Sequence, residues 1–80
     1  MQQTPSDPSE SQFSKLILTF REGEYSQLLV EIDNIVKLFP NSSKLFNLRA
    51  AAYTALGNYE LALKNYEKAI SLNLKPIQRL

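Results

Sequence analysis

The residues best placed to do chemistry are carboxylates in close pairs. Glu22 and Glu24 flank Gly23, and Glu31 stands two places before Asp33. Two carboxylates in one cleft become a general acid and base when burial and like charge drive their proton affinities apart. Here one pair sits at a break in the chain and the other on the polar side of a periodic apolar segment. Solvation is the expected state of both. The groups that usually complete a reaction centre are missing. The 80 residues hold no histidine and no cysteine, which removes the commonest acid–base catalyst and metal ligand, any thiolate and any disulfide. Gly23 and Gly57 belong to no Gly-rich cluster that would cradle a phosphate. Asn41-Ser42-Ser43 fits the glycosylation sequon, but no apolar signal-like run follows the first residues. The expectation is a chain that is not an enzyme and holds no metal or cofactor.

Charge narrows the partners. The net charge of +1 gives no electrostatic case for nucleic acid. Residues 1–40 carry three basic groups against six acidic ones, whereas residues 41–80 carry six basic groups against two, Glu60 and Glu67. Chance among small numbers accounts for such an asymmetry; the sharper reading is head-to-tail attraction between copies or with another domain. The four tyrosines, Tyr25, Tyr53, Tyr59 and Tyr66, fall at packing positions, and a base-stacking role would need more cations around them than Lys64 and Lys68. No apolar stretch approaches membrane-spanning length, so the expected partner is protein or peptide and the expected location cytoplasmic.

The elements that must position these groups are announced by a repeat. Gly23 and Gly57 stand 34 residues apart, and each is followed two places on by a tyrosine, Tyr25 and Tyr59. A fixed spacing of this length marks stacked helical hairpins. Residues 1–8 are polar, broken by Pro5 and Pro8, and read as a disordered tail. A helix over about 9–22 carries Phe13, Leu16, Ile17 and Phe20 on one face, with Ser9 and Gln12 as a capping box. A second, over about 24–39, keeps Tyr25, Leu28, Leu29, Ile32, Ile35, Val36 and Phe39 in helical register until Pro40 stops it. Asn41 or Ser42 can cap a third, over about 43–56, centred on Ala50-Ala51-Ala52. A fourth, over about 59–72, is expected to bury Tyr59, Ala62, Leu63, Tyr66, Ala69 and Ile70. Asp33 with Lys37 and Glu60 with Lys64 make exposed pairs four apart. Residues 75–80 read as the start of one more helix or a cap. Short connections force antiparallel neighbours, so the fold class is all-α: two antiparallel hairpins stacked with the first helix beside the third.

On these residues the second hairpin resembles the tetratricopeptide repeat (TPR) family. Phe46 takes the first aromatic place, Ala50 the small place and Tyr53 the tyrosine place; Gly57 and Tyr59 mark the turn; Ala62, Tyr66 and Ala69 match the second helix. Arg49 departs from the usual leucine and Leu74 from the usual proline, with Pro76 two residues late. The first hairpin matches more loosely. Gly23, Tyr25 and Pro40 fall in place, but Leu28, Ile32 and Ile35 replace alanine, aromatic and alanine, as in an atypical terminal repeat. The resemblance implies a domain over 9–74, with repeats over about 9–42 and 43–76.

It further implies a peptide- or protein-binding module whose first helices line a concave face. Carried over by position, that face holds Phe13, Ile17, Phe20 and Arg21, then Lys44, Asn47, Ala51, Thr54 and Ala55. Phe13, Ile17, Ala51, Lys44, Asn47, Thr54 and Arg21 are the candidate contacts; core packing is the competing role for the apolar ones and a solvated face for Lys44 and Asn47. The family's carboxylate-gripping set is not reproduced, because Phe13 and Ile17 stand where lysine and asparagine are required. Two other readings stay open: the N-terminal segment of a larger enzyme such as a transferase, and a homodimer in which Ile77 and Leu80 take part in self-association.

Overall fold

A glycine with positive φ closes each hairpin, and the same cap is built twice. Gly23 has φ 78° and Gly57 φ 82°, a left-handed region open to glycine but costing other residues about 1–2 kcal/mol. The Gly23 N–H donates to the Phe20 carbonyl at 3.0 Å and the Glu24 N–H to the Thr19 carbonyl at 3.2 Å. The Gly57 N–H donates to the Thr54 carbonyl at 3.0 Å and the Asn58 N–H to the Tyr53 carbonyl at 2.9 Å. Each set is a Schellman cap, which satisfies carbonyls that a helix end leaves open. The 34-residue period of the sequence is thus a period of backbone geometry.

The computed structural model of the chain describes residues 6–73. Four helices run in order: α1 (Glu10–Arg21), α2 (Tyr25–Val36), α3 (Ser43–Ala55) and α4 (Tyr59–Asn73), with no strand among the described residues. The Ser9–Gln12 capping box opens α1: Ser9 Oγ accepts from the Gln12 N–H at 3.1 Å, and Gln12 Oε1 accepts from the Ser9 N–H at 3.0 Å. α2 ends before the expected Phe39, and Lys37 and Leu38 form a turn instead. Pro40 excludes helical geometry at the residue before it and takes the second place of a turn that the Ser42 N–H closes on the Phe39 carbonyl at 3.2 Å.

Ser42 does two jobs at the junction of the hairpins. Its Oγ accepts from the Leu45 N–H at 3.3 Å, capping α3, and donates to Asp7 Oδ1 at 2.6 Å. It is fully buried. The proline next to Asp7, Pro8, is buried too. Packed chain therefore begins ahead of Ser9, inside the stretch assigned to a disordered tail, because the Ser42 hydroxyl needs an acceptor and Asp7 supplies it. Residues 1–5 and 74–80, including the expected extra helix, lie outside the described residues.

The core is shared by three helices. Leu16 of α1, Leu28 and Ile32 of α2, and Leu45, Leu48 and Ala52 of α3 form one buried cluster. Phe13, Ile17, Phe20, Tyr25, Leu29, Ile35, Val36 and Phe39 pack around it. The Phe20 and Tyr25 rings meet edge to face, centroids 5.3 Å apart, bracing the first turn from inside. α4 stands outside this cluster and packs on α3, burying Ala62 and Ala69. Small side chains let helix axes approach closely.

The expected buried face of α4 is corrected here. Ala62 and Ala69 are buried, but Tyr59, Leu63, Tyr66 and Ile70 are exposed. Tyr66, next to the buried alanines, keeps 38% of its surface exposed, and the other three keep more than half. The expected charge pairs change as well. Asp33 bonds Arg49 of α3, the one ion pair among the described residues, in place of Lys37, and Glu60 is not paired with Lys64. Arg49 thus occupies a leucine position of the repeat while tying α3 to α2.

Candidate functional site: the groove between α1 and α3

Two helices that each begin a hairpin lie side by side and leave a groove of about 310 Å³ between them. Its wall from α1 is Phe13 and Ile17, one helical turn apart; its wall from α3 is Lys44, Asn47, Leu48 and Ala51. Positions 44, 47, 48 and 51 share a face because a helix returns to the same side every three or four residues. Both walls are held in place from behind. Leu16, the neighbour of Ile17, and Leu45, the neighbour of Lys44, are core residues.

The lining is apolar apart from Lys44 and Asn47. Lys44 Nζ lies 4.9 Å from the centroid of the Phe13 ring, a cation–π contact that spans the groove. An exposed contact of this kind is worth about 0.5–1 kcal/mol. An exposed ion pair is worth about 0–1 kcal/mol, so a carboxylate at the groove would compete with the ring for Lys44 on near-equal terms. Asn47 offers both an amide donor and an acceptor, the pair that matches a peptide group. Ala51 keeps the floor open. No nucleophile faces an acid or base among these lining residues. Among the described residues no group of three or more metal-ligating side chains comes together.

The sequence candidates divide cleanly. Phe13, Ile17, Lys44, Asn47 and Ala51 are brought together in the groove. Arg21, exposed in the last turn of α1, and Thr54, whose hydroxyl donates to the Ala50 carbonyl at 2.9 Å, are not among its lining residues. Phe20 and Ala55 also lie off it; Phe20 packs edge to face on Tyr25 instead. Leu48 was missed. Its position four residues after Lys44 puts it on the same side, and that spacing alone could have found it. Ile77 and Leu80 lie outside the described residues. Phe46, the repeat's first aromatic, is not in the groove and has Lys68 Nζ 5.9 Å from its ring centroid.

Residues 43–75 match the family model described as Tetratricopeptide repeat. No solved structure matches the chain. The match begins at the first residue of α3 and runs past the end of α4, over the hairpin whose turn, alanine positions and aromatic spacing are those described above. Over residues 43–75 the second hairpin of this protein matches a tetratricopeptide repeat, in an all-α fold of TPR-like helical hairpins.

Proposed function

We propose that the protein is a protein–protein interaction module that takes a short peptide segment into the groove between α1 and α3. Tetratricopeptide repeats in general serve protein–protein contact, and that supports the class of partner. The groove itself carries the rest: an apolar lining of Phe13, Ile17, Leu48 and Ala51, with one cation, Lys44, beside the amide of Asn47. Its ligand presents one apolar side chain to the floor and an acidic group next to it for Lys44. Asn47 bonds the ligand's backbone and sets its register.

Selection of a random peptide library on the 80-residue chain tests this. Enriched peptides are expected to carry an apolar residue beside aspartate or glutamate. Lys44→Glu should invert the charge preference, and Ala51→Phe should fill the floor and lower affinity at least about tenfold, the size of a lost buried side-chain contact. Peptides that bind Ala51→Phe as well as the parent chain would remove the groove from the account.

A further inference from the structure

Lys44 has a fixed root and a free tip. The residues on either side of it are tied down. Ser42, fully buried, bonds Asp7 and the Leu45 N–H. The Ser43 hydroxyl donates to Asn73 Oδ1 at 3.0 Å. Leu45 is fully buried in the core. The first turn of α3 is therefore anchored to the N-terminal segment, to α4 and to the core, and only the Lys44 side chain is left to swing. It makes no ion pair among the described residues. Its ammonium lies instead over the Phe13 ring, across the groove.

In that place the lysine covers what a ligand would use. Phe13 is the largest apolar side chain of the lining, and a lysine lays its apolar stem along such a surface while its charged end stays outward. A ligand that packs on Phe13 must first displace Lys44. One that brings a carboxylate gives the ammonium a new partner of about equal worth to the ring. One without an acid offers nothing in exchange, and its affinity falls with the fraction of chains whose ring is open. For an exposed cation–π contact that is a loss of about two- to fivefold.

We infer that Lys44 is a latch: it closes the groove on Phe13 in the free chain, and a ligand's carboxylate draws it aside to open the ring to the neighbouring apolar residue. The latch rests on the groove reading above and adds selection against apolar peptides that lack an acid. It is read first without any ligand. In proton NMR of the 80-residue chain, the Lys44 ε-methylene protons should lie upfield of those of Lys15, Lys37 and Lys64, shifted by the Phe13 ring. Phe13→Leu should return them to the common position. Ordinary shifts for Lys44 in the parent chain overturn the latch. Binding is then measured with peptides from the library selection, each paired with a version in which glutamine or asparagine replaces the acid. Lys44→Ala should tighten the amide version about two- to fivefold and weaken the acidic one. An amide version that Lys44→Ala binds no better than the parent chain does also overturns the latch, and leaves the groove standing if Ala51→Phe still lowers affinity. Binding that Ala51→Phe leaves unaltered removes the groove, and the latch with it.

Discussion

In the first hairpin Leu28 and Ile32 are buried completely; in the second, Ala62 in the place of Leu28 and Ala69 in the place of Ile35 are buried with one methyl each, while Tyr66 in the place of Ile32 is exposed. The two glycine caps share the same pair of backbone bonds, though Asn58 caps α4 with its side chain and Glu24 does not cap α2, so the larger difference lies in the packed side chains. Burying a leucine or isoleucine stabilises by about 1.5–3 kcal/mol, a single methyl by less than about 1 kcal/mol. α1, α2 and α3 are therefore held by apolar bulk. α4 is held by close contact with α3, through many weak dispersion terms that depend on small residues staying small. One backbone period can be carried by two packing schemes, and only the alanine scheme matches the repeat family.

That contrast can be broken from either side. Ile32→Ala should cost the most, about 2–5 kcal/mol in urea unfolding, because it opens a cavity under all three core helices. Ala69→Leu should cost about 1–3 kcal/mol by forcing α4 off α3, and hydrogen exchange should show the loss confined to α4 amides. An equal loss of protection in α1 would mean that the two schemes are not separate.

The turns sharpen the comparison. A Cβ added at Gly23 or Gly57 meets nothing within 4 Å. Gly23→Ala and Gly57→Ala should therefore each cost about 1–2 kcal/mol from backbone strain alone. Unequal penalties would show that the two glycine caps are not equivalent. The smallest effect belongs to Arg49. Its guanidinium bonds an Asp33 that is 55% exposed, while its Nε is buried without a hydrogen-bond partner. An exposed ion pair is worth at most about 1 kcal/mol, and an unmet buried N–H costs as much or more. Arg49→Leu, which supplies the family's usual residue, should leave the unfolding midpoint unchanged or raise it slightly. A loss above about 1 kcal/mol would mark the Asp33 bond as a main tie between α2 and α3.

What could be read from sequence was what depends on neighbours along the chain. Gly23, Gly57, the Ser9–Gln12 box and the Ser42 cap are local devices, and the periodic apolar residues place each helix. Two kinds of fact escaped. Bonds between distant positions, Asp7 with Ser42 and Asp33 with Arg49, follow from how the helices are laid together and leave no local pattern. Periodicity also reports which residues share a face without saying what covers that face. Tyr59, Leu63, Tyr66 and Ile70 were rightly placed on one side of α4 and wrongly placed in the interior. In the groove, resemblance to the repeat located five lining residues, but Arg21 and Thr54 were carried over by position although side-chain bonding and helix ends place them elsewhere.

A surface of methyl groups has a weakness that a leucine surface lacks: it is smooth, and two smooth rods can slide. The Ser43 hydroxyl, on the first residue of α3, donates to Asn73 Oδ1, on the last residue of α4, at 3.0 Å. Slipping α4 by one residue would carry Asn73 about 1.5 Å along the axis and about 100° around it, out of reach of Ser43. This single polar contact acts as a detent, giving α4 one preferred axial setting where the alanines alone would allow several.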